Sequence, residues 1–343
     1  MSIAVDSVPP HVPLTAVLRN GVVESVHAGS VAVVDRSGRV LHAAGDPQRL
    51  TFTRSSLKPL QALPFVAAGG PGRFGLSPAH VAVVCASHSG EARHVEAVRE
   101  ILHRAGCSPD ELQCGSHVPG FYEAQGLFPS PPPYSPLEHN CSGKHSGMLA
   151  YCAMCGHSRH DYLAFEHPLQ ESIRNAVADY TGQAAATLPW GIDGCSAPNY
   201  AVPLSALALA FARIASPEPH PTYGRAAATV YEAMTAHPGM VSGEKRSDDA
   251  LMRAGRGDWV TKIGAEGVQA IGVRSHGIGI AIKVDDGQKR GLYPAIVAVL
   301  DALGLLDAGA RELLAPWANP EVRNYRGLHT GEVRPVVALR SLP

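Results

Sequence analysis

The chain has 343 residues, is 45% hydrophobic and 17% charged, and carries a formal net charge of -1. That is apolar enough for a sizeable core and excludes a disordered chain. There is no basic surplus to neutralise phosphates, so nucleic-acid binding is not expected. In chain order, Leu14–Arg19, Val22–His27, Val31–Asp35 and Arg39–Ala44 are short and Val-rich, and turn residues such as Asn20-Gly21 and Ser37-Gly38 separate them. This pattern predicts a β-meander. Helices are predicted over Ser56–Ala68, Pro78–Ala86, Ala92–Ala105, Ser142–Cys155, Pro168–Tyr180, Pro203–Ala215 and Arg225–Ala236. The Pro- and Gly-rich stretch 115–140 is expected to be irregular. Asp258–Ile263, Val268–Arg274 and Gly279–Asp285 then alternate like antiparallel strands. Two helices, Leu292–Leu303 and Asp307–Trp317, and a last strand at Val333–Leu339 close the chain.

Long βαβ alternation is absent, which argues against a doubly wound parallel sheet. The order predicts an α+β fold in one catalytic domain, 1–343. In it, N- and C-terminal strands (about 1–50 and 255–343) share an antiparallel sheet, and a helical region (about 51–254) is inserted between them. The N-terminus, MSIAVDSVPPHVPL, lacks a positive region and an apolar stretch, so no secretory leader is expected. No apolar run of about 18 residues predicts a membrane span. Seven cysteines, an odd number spread through a large chain, suit free thiols in a reducing compartment. The expectation is a cytoplasmic protein that meets neither membrane nor nucleic acid.

Three constellations can carry chemistry. In Ser55-x-x-Lys58, positions three apart at a helix start share one face, so the amine can reach the hydroxyl. A desolvated lysine can accept the serine proton. Alone, the pattern is more often an N-cap serine and a solvated lysine. Serine/lysine acyl-transfer sites add a second polar Ser segment and a Lys-x-Gly segment on a strand. Cys85-Ala86-Ser87-His88-Ser89-Gly90-Glu91 and Lys262-Ile263-Gly264 supply both, in that order.

The second constellation, Asn140-Cys141-Ser142-Gly143-Lys144-His145-Ser146-Gly147, opens a helix whose N–H groups can face an anion. It lacks the preceding strand and long Gly-rich loop of a phosphate site. The third, Asp193-Gly194-Cys195-Ser196-Ala197-Pro198, is a shaped loop. Its Asp can cap a helix or hold a substrate α-amino group. A four-ligand metal site on Cys141, His145, Cys152 and Cys155 is excluded by geometry. Cys141 to Cys155 spans about 20 Å of helix, so one ion cannot reach both ends. Met148, Cys152 and Cys155 are expected in the core, and Cys141 with Cys195 is the better metal candidate. Of the scattered histidines, His88 and His145 stand inside motifs; His80, His94, His103, His157, His160 and His237 read as surface or capping residues.

Together, RSSLKPLQ at 54–61, CASHSGE at 85–91, NCSGKHSGM at 140–148, IDGCSAP at 192–198 and KIGAEGV at 262–268 closely resemble the Rhizobium-type (class 3) L-asparaginases, the asparaginase II family. The resemblance covers essentially the whole chain, with no departure at these positions. It implies a fold like that of serine β-lactamases and glutaminases, a homodimer, and hydrolysis of L-asparagine to L-aspartate and ammonia. The catalytic residues it implies are Ser55 with Lys58 and Ser87 with Lys262. Arg54, Asp193, His145 and Gly264 are expected around the substrate. It also implies a zinc ion on Cys141, Lys144 and Cys195. A lysine ligand is unusual, because an ammonium has no lone pair until it loses a proton. Competing readings are glutamine or a β-lactam-like ring as substrate, and a zinc-dependent binding protein that has lost catalysis. The last should lack one of Ser55, Lys58, Ser87 and Lys262, and all four are present.

Overall fold

The computed structural model describes residues 11–216 and 218–342; residues 1–10, on which the expectation about a leader falls, lie outside the described residues. Three strands open the chain: β1 (Val12–Arg19), β2 (Val22–Asp35) and β3 (Val40–Ala44). The short β4 (Leu50–Phe52) leads through a 3-10 turn at Arg54–Leu57 into the helices. These are α1 (Lys58–Ala67), α2 (Gly70–Arg73), α3 (Pro78–Val84), α4 (Ala92–Arg104), α5 (Gly120–Gln125), α6 (Ser142–Cys155) and α7 (Pro168–Thr181). Strands β5 (Trp190–Ile192) and β6 (Pro198–Pro203) precede α8 (Leu204–Ile214), α9 (Ala226–Ala236), α10 (Pro238–Val241) and α11 (Ser247–Ala254). The chain then returns to strands β7 (Trp259–Gly264), β8 (Val268–Val273) and β9 (Ile278–Val284). Helices α12 (Lys289–Ala302) and α13 (Ala308–Ala318) and strands β10 (Glu321–Arg323), β11 (His329–Pro335) and β12 (Arg340–Ser341) complete it.

The main sheet runs β10-β11-β1-β2-β9-β8-β7, with β3 on β2 and β12 on β3. All its pairings are antiparallel. N- and C-terminal strands therefore share one sheet, and the fold is α+β, as the element order predicts. Strand alternation sends side chains to opposite faces, and both faces are covered. Val31 and Val33 enter one core with Ile280, Ile282, Leu292 and Ile296 of α12. Ala32 and Val34 enter the other, with Leu57, Leu60 and the α8 residues Leu207 and Phe211. Burial on both faces explains why the centre of β2 is a continuous apolar run.

Several boundaries differ from expectation. Val22–His27 and Val31–Asp35 are one strand of 14 residues. Gly29 between them reads as a turn signal, but its work is close approach: a Cβ there would lie 2.0 Å from the Lys283 carbonyl oxygen of β9. The strand expected at Val333–Leu339 is displaced to His329–Pro335, because its register is set by Val333 against Val17 of β1. A second, small sheet, β4-β6-β5, was not expected; β4 and β5, of three residues each, are too short to show a period, and β6 is buried along nearly its whole length. Met148 and Cys152 are buried as expected, whereas Cys155 is exposed, because α6 ends there at Gly156 (φ +70°). All seven cysteines are free. No described helix is long and apolar enough to cross a membrane.

Candidate active site

The site lies where the helical layer meets the end of β7. Arg54 begins the 3-10 turn with φ +49°, a conformation that non-glycine residues adopt only when their surroundings enforce it. Asn199 of β6 enforces it here. Its Oδ1 accepts from the Arg54 N–H at 3.0 Å, and its Nδ2 donates to the Arg54 carbonyl at 3.1 Å. The guanidinium Nε then donates to Asp193 Oδ1 at 2.8 Å, and Asp193 also accepts from the Gly194 N–H. Gly264, at the end of β7, packs against the same turn: a Cβ there would lie 2.8 Å from the Thr53 carbonyl oxygen. Its place is behind the turn, where it lets the strand approach.

A cleft of about 470 Å³ opens over the turn, lined in part by Phe52, Arg54, Ile192, Asp193, Asn199 and Glu266. Its lining reaches Arg54 and Asp193 and stops short of Lys58, Ser87 and Lys262, which are 1%, 3% and 0% exposed. Ser55, next to Arg54, is half-buried. Its hydroxyl has no hydrogen-bond partner among the described residues.

Lys58 is the first residue of α1. Its Nζ donates to Ser87 Oγ at 2.8 Å and to the Asn140 carbonyl at 3.3 Å. The sequence pairs Lys58 with Ser55 and Lys262 with Ser87; the structure instead brings Lys58 to Ser87. Ser87 sits in the break after α3, where its N–H donates to the Val241 carbonyl at 2.9 Å. Lys262 turns elsewhere, donating to Asp248 Oδ2 at 3.3 Å and to the Ile263 carbonyl at 2.8 Å. Burial pushes Lys262 down to about 8, against the opposing pull of Asp248. Burial also pushes the neighbouring Cys85 thiol up to about 12, which keeps it protonated.

The second cluster surrounds Cys195. Lys144 Nζ donates to Cys195 Sγ at 2.9 Å, and the buried Cys141 is a neighbour of Cys195. Cys141, with Lys144 and His145 adding to it, holds Cys195 far below the usual thiol range despite burial. Burial would push the Lys144 ammonium down, but Cys195 and Cys141 outweigh it and hold it above its ordinary value. His145 belongs to this cluster and not to the cleft. Burial pushes it down to about 4, its Nδ1 meets the Tyr162 hydroxyl at 2.6 Å, and its Nε2 is buried without a hydrogen-bond partner. The Cys141 and Cys195 sulfurs and the Lys144 amine, once it has lost its proton, are donors that suit a soft divalent cation, and the unpartnered His145 Nε2 lies beside them. Among the described residues, no group of three or more His, Cys, Asp or Glu could hold a metal, so such a site depends on the lysine.

Sequence reasoning missed four residues. Asn199 clamps Arg54; Asp248 pairs with Lys262; Tyr162 orients His145; and His139 Nδ1 accepts from the Cys141 N–H at 3.0 Å. His88, singled out in its motif, is structural. Its Nε2 lies 2.9 Å from Ser142 Oγ, whose hydroxyl donates to Leu137, and its Nδ1 accepts from the Gly90 N–H. Both nitrogens are satisfied by the neutral ring, which burial favours. His80 and His94 close capping boxes, as expected.

Buried titratable groups with shifted proton affinities concentrate at functional centres, and the fold and this polar core together describe an α+β protein of enzyme type. The chain belongs to the L-asparaginase II family, whose sequence model matches residues 15–335. No curated protein matches it. Among solved structures it is similar to Mglu in its native form, at 16% identity over 82% of this chain, with a TM-score of 0.37. That match spans 65% of the Mglu chain. It is also similar to a β-lactamase from Mycobacterium bovis, at 13% identity over 81% of this chain and 95% of that one, again with a TM-score of 0.37.

Proposed function

We propose that this protein hydrolyses the side-chain amide of L-asparagine, giving L-aspartate and ammonia through an acyl-enzyme. Membership of the L-asparaginase II family supports the substrate class. The observation that carries the mechanism is the buried Lys58 amine in direct contact with a serine hydroxyl, Ser87, three residues after a second serine, Ser55. Ser55 Oγ attacks the amide carbon, and its proton passes to the Lys58 amine, directly or through Ser87. The amide nitrogen takes a proton and leaves as ammonia. Water then attacks the ester and regenerates Ser55 with release of aspartate. Lys262, in its neutral form, is the second proton acceptor of the pocket. Arg54 and Asp193 at the cleft floor hold the substrate's charged α-groups.

Cys141, Lys144 and Cys195 would hold zinc, with His145 beside it. When bound, zinc supplies a fixed positive centre that shapes these loops. The Asp193–Cys195 segment links the thiol cluster to Arg54 through the 2.8 Å contact of Asp193, so order in one is order in the other.

A second reading makes Ser87 the nucleophile, favoured by its 2.8 Å contact with Lys58. Ammonia release from asparagine and glutamine, measured side by side with purified protein, tests the substrate. Faster release from asparagine is expected; release from glutamine alone contradicts the proposal.

A further inference from the structure

Asp248 lies in the first turn of α11 and is fully buried. A buried carboxylate without partners is costly, and this one takes four donors. Thr261 Oγ1 and Gln269 Nε2 meet Oδ1, each at 3.0 Å. The Ile263 N–H at 2.9 Å and Lys262 Nζ at 3.3 Å meet Oδ2. Three of the donors come from consecutive residues of β7. Burial works against the charged form, but Lys262 and these donors outweigh it and hold Asp248 below the usual carboxylate range. The other charged or titratable groups facing the pair are Lys58 from α1, Cys85 after α3, Arg246 ahead of α11, and Tyr293 of α12. Of these, Lys58 and Arg246 disfavour a charged Lys262.

We infer that Asp248 is a positioning residue, whose carboxylate fixes the Lys262 side chain at the strand wall of the site and sets the pH at which that lysine loses its proton. It rests on the proposed amide hydrolysis only for the use made of Lys262. Pinning α11 to β7 would by itself move stability and nothing else. Setting the proton affinity of Lys262 moves a titration.

The test is 13C-lysine NMR of the full chain, with the Lys262 signal assigned by its loss in Lys262→Met. In Asp248→Asn, the Lys262 midpoint is expected to fall by roughly 1 to 3 pH units from about 8. Asp248→Glu, which keeps the charge, should restore most of that shift. An unchanged midpoint in folded Asp248→Asn overturns the inference. The rising limb of ammonia release against pH should move with the midpoint. If the midpoint moves and the limb stays, the inference stands and the catalytic use of Lys262 falls. Should Asp248→Asn fail to fold, the double variant Asp248→Asn/Lys262→Met carries the test. It removes both charges and should recover a folded protein with a cooperative thermal transition, whereas a double variant that stays unfolded while Lys262→Met folds overturns the pairing.

Discussion

Three lysines are buried in the polar core of this chain, and they occupy two unlike regions. Lys58 at the start of α1 meets Ser87, and Lys262 on β7 meets the buried carboxylate of Asp248. Lys144 lies among sulfurs, and Cys195 holds its charge in place. Burial acts in the same direction on Lys262 and Lys144, but only in the first does it prevail. The difference teaches that the partner, not the depth, decides what a buried amine does. Lys144, whose partner is a thiolate, is held as an ammonium and must lose that proton before it can donate a lone pair. Lys262, whose carboxylate partner is shared with three other donors, is left with a lowered proton affinity.

Substitutions can break that comparison. The largest expected effect is on activity at Lys58. Lys58→Met should lower kcat for ammonia release by about 10²- to 10⁴-fold, the range of a lost general base, while leaving bound metal unchanged. Cys195→Ala should do the reverse in one respect: metal content, measured by elemental analysis of the purified protein, should fall to background, with a drop in Tm. If Lys58→Met lost the metal too, the two regions would be one. Asn199→Ala tests the clamp on Arg54, whose side chain meets Asp193 beside the thiol cluster. It removes two hydrogen bonds from a buried clamp, at about 1 to 2 kcal/mol each, and frees Arg54 from φ +49°. Activity should fall about tenfold to a hundredfold through misplacement, and thermal unfolding should report the stability loss. The smallest effect needs no substitution. A lysine accepts a proton only when neutral, and Lys262 is pushed down to about 8. The rate should therefore rise with pH through that region; a profile flat from acid to alkaline pH contradicts a neutral lysine.

Much of this arrangement was legible in the sequence. The span of α6 follows from small residues opening a helix at Ser142 and a glycine closing it at Gly156. The segments around Ser55, Ser87, Cys141, Asp193 and Lys262 could be found because polar residues recur in Gly-flanked turns in the order of a serine/lysine site and because together they resemble one family. Their partners could not be read so easily. Ser55-x-x-Lys58 suggests a pair within one helix turn, yet Lys58 reaches across to Ser87, 29 residues on. Asp248 stands in Ser247-Asp248-Asp249 and reads as ordinary first-turn acid of a helix. Its burial is created by β7 and β8, which follow it in the chain. Lys262 at a strand end reads as a solvated lysine, and only the burial of the whole strand Trp259–Gly264 shows that it needs a carboxylate partner. Asn199 gives no signal either, because its task is set by the backbone of Arg54.

The central claim is a serine acyl-enzyme with Lys58 as the proton acceptor. It is tested most directly by quenching the protein during turnover of asparagine, or trapping it with an amide-mimicking acylating agent, and locating the adduct by peptide mass spectrometry. The account predicts an adduct on Ser55, lost in Ser55→Ala and much slower to form in Lys58→Met. An adduct on Ser87 with Ser55 unmodified would contradict it.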